Sequence, residues 1–210
     1  LAAALLLALT GACILLGALL HPRIPPQVAD QMRAIASSRL WVPAHWLLTV
    51  GQAAAVPVLA LTLRQAARRM PPLAAAGAAA LGLGLAVGML GTLLAATGLR
   101  AEAERGNLGA FGAVAHFDLG LGWMCLLLAG AGGLVLGLHV PARPRAARWM
   151  GWAGASVSFA LLAAAILVPY DHWWTHQYVL RSGALALGAG ALALGVVWPF
   201  LSKPAPPGPA

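Results

Sequence analysis

The chain has 210 residues, 61% of them hydrophobic and only 9% charged, with a formal net charge of +8. A globule facing water carries roughly 25% charged residues, so too little polar surface is available here to clothe a soluble domain. The basic residues are scattered in short loops between apolar runs, a pattern that suits topology signals and lipid headgroups and excludes nucleic acid as a partner.

Each crossing of a bilayer takes about 20 apolar residues, so the length supplies about six helical spans with short connections and leaves no room for a soluble domain. The in-out alternation of a membrane barrel is missing, and the predicted fold is an all-α transmembrane bundle, one domain over 1–200. The spans are read at 2–20, 42–63, 73–99, 112–138, 147–168 and 177–199. The chain opens on Leu1 rather than methionine, so its true start is expected upstream. LAAALLLALTGAC resembles a secretory apolar segment with a poor lipobox ending at Cys13. ILLGALL follows where a processed lipoprotein would turn polar, so a retained first helix is expected.

Residues 21–41 form the longest loop. In it Val28, Met32 and Ile35 recur at helical spacing, with Gln31, Arg33 and Ser37 on other faces, which predicts a short amphipathic helix lying on the membrane surface. The second span opens at Pro43 and stops before Arg64, Arg68, Arg69 and Pro71-Pro72; the fifth ends at Pro169. Gly84 and Gly88, Gly133 and Gly137, and the Ala/Gly run at 185–195 provide small faces where helices pack closely. The tail 201–210, rich in proline, is expected to be disordered.

Alternation of spans puts Arg64, Arg68, Arg69, Arg143, Arg145, Arg148 and Lys203 on one side without an acid, and Arg23, Arg33, Arg39, Arg100, Arg105 and Arg181 with all five acids on the other. The first set crowds the span ends, which predicts that side, with both termini, to be cytoplasmic in a bacterial inner membrane.

His21, His45, His116, His172 and His176 fall on the outer side, together with Asp118 and Asp171; His139 does not. His45, Thr49 and Gln52 at i, i+4 and i+7 make one polar stripe, and exposing a carboxamide such as Gln52 to hydrocarbon is costly, so Thr49 and Gln52 are expected inside the bundle. Asp118 is a second intramembrane polar group, and His172 and His176 share a helix face at i, i+4. His45, His116, Asp118, His172 and His176 are the candidate metal ligands, since a metal ion would take imidazoles plus a carboxylate. Two imidazoles on facing helices would hold a haem b, and a proton relay or quinone pocket would use the same groups. The competing reading is an aromatic belt, in which His21, Trp41, Trp46, Tyr170, Trp173, Trp174 and Tyr178 sit at the boundary because they are part apolar and part polar. Arg181 would snorkel outward or pair with Asp171 or Asp118. Cys13 and Cys125 lie in apolar runs without metal-ligand spacing. C-x-x-C-H, H-E-x-x-H and the P-loop are all missing, and Ser156 and Ser158 have no evident base.

GALLHP (17–22) followed by WVPAHWLLTVGQ (41–52) resembles a pattern in uncharacterised small multipass inner-membrane proteins of high-GC bacteria. The resemblance covers the first quarter of the chain and implies no activity or catalytic residue. The expected function is therefore that of a non-enzymatic or accessory integral membrane protein, whose partners are the lipid bilayer and a second copy or a membrane complex. The alternatives are a redox or metal- or haem-binding membrane protein using the outer-face His/Asp cluster, and a small-solute transporter with the Gln52 stripe along its path.

Overall fold

Inside an apolar run the backbone must satisfy its own hydrogen bonds, and a helix does so within one segment. The computed structural model describes residues 2–66, 71–139, 145–167 and 173–201, and among these it is built of helices with no strand. They are α1 (Ala2–Leu20), α2 (Val28–Ser37), α3 (Trp41–Ala66), α4 (Pro72–Leu94), α5 (Arg100–Arg105), α6 (Leu108–Leu138), α7 (Arg145–Leu167) and α8 (Trp173–Leu201). A π-helical turn, Ala95–Leu99, joins α4 to α5 without a break. The third span therefore runs past residue 99. Its end is set by Gly106, whose φ of 70° suits the left-handed turn, and by Asn107, whose side chain accepts from the Ala110 N–H to cap α6.

Among the described residues, four helical stretches are long and apolar enough to cross a membrane: Ala2–Leu20, Trp41–Leu61, Pro72–Arg105 and Leu108–Leu138. Gly151–Leu167 and Tyr178–Ala193 are shorter apolar stretches within α7 and α8. The exterior fits lipid: Leu5 and Leu9 on α1, Leu83 and Leu90 on α4, Phe117 on α6 and Phe159 on α7 all lie exposed. The tail beyond 201, Arg68, Arg69, Arg143, Pro169, Tyr170, Asp171 and His172 lie outside the described residues.

The long helices pack in the ring order α1, α3, α4, α6, α7, α8, with α8 returning to α1. Small residues permit this. A Cβ on Gly132 of α6 would strike the backbone of Gly77 and Leu81 on α4, and one on Gly188 of α8 would lie 2.7 Å from the Leu15 nitrogen on α1. Lipid offers no hydrophobic drive between helices, so such close backbone approach carries the packing. The expected pairs serve the same end: Gly84 abuts Ala129, and Gly137 abuts Gly151 and Ala155.

The end of the bundle where α2 lies is packed like a soluble core. Ile24, Ile35, Trp41, Ala95, Leu99, Ala103, Phe111 and Ala115 form one buried cluster there. Helix α2 forms within the predicted loop and turns Ile35 and Met32 of the expected apolar face to the core, but Gln31 is buried beside them and Val28 is 39% exposed. The reason is its docking onto protein. Gln31 donates to the Pro26 carbonyl at 3.2 Å, and Arg100 donates to the carbonyls of Ile35 and Ser38 at the α2 C-terminus. Last-turn carbonyls have no partner within their own helix, and a cation there meets the negative end of the helix dipole.

Candidate functional site

Helix α1 ends at Leu20 and α3 begins at Trp41, and the two pack side by side. Their adjoining ends bring three rings together. The centroid separations are 4.1 Å for Trp41–His45, 4.9 Å for His21–His45 and 5.2 Å for His21–Trp41. Trp41 is 1% exposed, and its indole N–H donates to the Ala95 carbonyl in the π turn at 2.7 Å. The buried indole nitrogen needs such a partner, and π turns recur at functional sites. His45 donates through Nδ1 to the Trp41 carbonyl at 2.8 Å, and His21 through Nδ1 to the Pro22 carbonyl at 2.9 Å. Each neutral ring then keeps its lone pair on Nε2. Burial, which disfavours the charged form, pushes the pKa of His21 down to about 4; the Pro22 carbonyl opposes the shift and the Arg181 charge adds to it.

One turn deeper, the Thr49 and Thr92 hydroxyls meet at 2.8 Å and tie α3 to α4. Deeper again, the Oε1 of Gln52 is buried without a hydrogen-bond partner among the described residues. It lies against the open edge of Gly88, where a Cβ would come within 2.9 Å of Oε1 and 2.7 Å of the Cys125 sulfur. The neighbouring edge at Gly91 faces the Asp118 carboxyl, with 3.5 Å from a Cβ there to Oδ1. The two glycines thus make the room in which a carboxamide, a thiol and a carboxyl stand together.

These groups line one cavity of about 160 Å³ enclosed by α1, α3, α4, α6 and α8, with Ala18, Leu48, Leu119, Leu180 and Ala184 between them. Arg181 also lines it and donates to the Leu19 carbonyl at 3.4 Å. Among the described residues the ion pairs are Arg33–Asp30, Arg100–Glu104 and Arg105–Glu102, so Asp118 and Arg181 share the cavity without pairing.

Of the candidate metal ligands, His45 and Asp118 share this cavity. His116 does not reach it: two residues from Asp118 is about 200° around a helix, which puts the two on opposite faces. His116 is exposed, with Nδ1 donating to the Gly112 carbonyl at 2.8 Å. His172 and the side chain of His176 lie outside the described residues. Among the described residues no three His, Cys, Asp or Glu side chains are grouped to hold a metal ion. The contact between the His21 and His45 rings leaves no gap for a haem macrocycle between that pair. Thr49 is buried, and Gln52 faces the cavity.

The aromatic-belt reading describes Trp46 and Tyr178, exposed at 46% and 51%, but Trp41 is core and His21 is part of the cavity wall. His21, Trp41, Cys125 and Arg181 were not legible as a group, because helix order decides their meeting. The available signal was the position of His21 and Trp41 at the facing ends of consecutive spans.

No family model, curated protein or solved structure matches the chain, so its function has to be read from this geometry alone.

Proposed function

We propose that the chain is a six-span protein of the bacterial inner membrane, with both termini cytoplasmic, that acts by binding a small ligand in its outer-end cavity rather than by catalysis. Six spans are supported by the 23 and 29 residues of α7 and α8, since about 20 residues suffice to cross a bilayer. The orientation rests on the arginines crowded at one set of span ends, and a reporter fused after Lys203 tests it: a periplasmic signal would overturn it.

The observation that carries binding is the cavity itself. It concentrates imidazole, indole, carboxamide, thiol, carboxyl and guanidinium groups in a bundle otherwise almost wholly apolar. Polar groups within a membrane are costly, and a site is the common reason for keeping them. The Thr49 and Thr92 hydroxyls are committed to each other and to the carbonyls of His45 and Met89. The test is competition for Cys125 in the intact protein: cavity ligands should slow its labelling by a small thiol reagent. Uniform labelling rates with every small ring compound tried would count against the reading.

A second reading is a redox or metal protein. It is favoured by the Nδ1 bonds of His21 and His45 to backbone carbonyls, the arrangement that commonly orients imidazoles whose Nε2 binds a metal. An absorbance spectrum and metal analysis of the purified protein separate the two. A haem band or stoichiometric metal would favour the second.

A further inference from the structure

The cavity is chemically polarised. A smaller recess of about 20 Å³ shares His21 and Arg181 with it and adds Arg23. Two guanidinium groups therefore stand at this end, with no acid among the residues lining the recess, and such a mouth attracts anions and repels cations. At the inner end stands the buried, unpartnered Oε1 of Gln52, an acceptor that requires a donor. Asp118 lies in the inner part too, beside Gly91. Between the ends, the walls are the His21–Trp41–His45 rings and aliphatic side chains. The volume, about 160 Å³, suits one six-membered ring, since a cavity of about 150 Å³ holds benzene. From His45 to Gln52 is seven residues, or about 10 Å along the helix, so a ring bearing polar groups at opposite ends can reach both.

We infer that the site takes a single-ring aromatic carboxylate with a hydrogen-donating group opposite the carboxylate, an inference that rests on the binding reading above. The carboxylate meets Arg181, Arg23 steers it inward, the ring packs on Trp41 and His45, and the donor satisfies Gln52. The simplest probe is 4-hydroxybenzoate. Equilibrium dialysis of the full chain in lipid nanodiscs should show it binding at least about tenfold more tightly than benzoate, which lacks the donor, and than phenol, which lacks the charge. Gln52→Leu should abolish the preference over benzoate, and Arg181→Gln the preference over phenol, with Arg181→Lys restoring part of the latter. Each readout is a ratio of two ligands on one protein, and the unmodified chain tests the proposal even where a variant fails to insert. Phenol binding as tightly as 4-hydroxybenzoate, or benzylamine binding more tightly than benzoate, would overturn the ligand class while leaving a binding cavity. Failure of all four ring compounds to bind would remove both.

Discussion

Replacing Trp41 by phenylalanine isolates the bond that joins α3 to the π turn. The indole N–H that donates to the Ala95 carbonyl at 2.7 Å disappears, and the phenyl ring cannot replace it. A buried carbonyl left without its partner costs about 1–3 kcal/mol. The smaller ring also leaves roughly 40 Å³ unfilled at a site 1% exposed, worth about 1 kcal/mol at about 24 cal/mol per Å³. The expected loss is about 2–4 kcal/mol. Trp46→Phe, at a position 46% exposed, is the internal control and should cost less than about 0.5 kcal/mol. Unfolding in mixed micelles of rising sodium dodecyl sulfate content, followed by helical circular dichroism, measures both. Hydrogen exchange at 95–100 should quicken in Trp41→Phe alone. Equal stability of the two variants, with unchanged exchange, would refute the role given to this bond.

Gly132→Leu should lower stability by at least about 1–3 kcal/mol in the same assay, because its Cβ meets α4 backbone rather than a side chain that can move. Arg100→Ala should speed hydrogen exchange across Val28–Ser37 and leave the core of α6 unchanged, since Arg100 holds the last carbonyls of α2. His21 is harder to protonate in the folded protein, at about 4, than at its ordinary 6.5. The unfolded chain therefore binds the extra proton, and the contribution of His21 to stability is complete above pH 6.5 and lost as the pH falls toward 4. His21→Gln should flatten that part of the stability profile; an unchanged profile would count against a buried, neutral His21.

The helices were legible because lipid imposes them: a run such as 2–20 or 112–138 has no other way to satisfy its backbone. Their ends were less so. The third helix was cut at residue 99, yet Arg100 and Glu104, four apart and 2.6 Å from each other, continue it to a glycine turn. The grouping of His45, Thr49 and Gln52 on one face follows from helical spacing. The faces opposite them depend on helix order, which no single span encodes. His116 and Asp118 differ by only about 3 Å along α6, but the angle around the helix separates them. His21 and Trp41 have the composition of a boundary belt, and only the docking of α2 over that end, with Ile24 and Ile35, turns the position into a core.

The packing of α1 against α8 bears on how the protein is made. A chain synthesised at about 5–20 residues per second takes about 10–40 s to go from the end of α1 to the end of α8. Throughout that interval α1 sits in the bilayer without the helix against which Gly11 and Leu15 pack. Leu180, Arg181 and Ala184 of the cavity wall also arrive only with α8. The cavity is thus closed only once α8 has been made. A nascent chain stalled before α8 would present an open, unclosed ring of helices to the insertion and quality-control machinery.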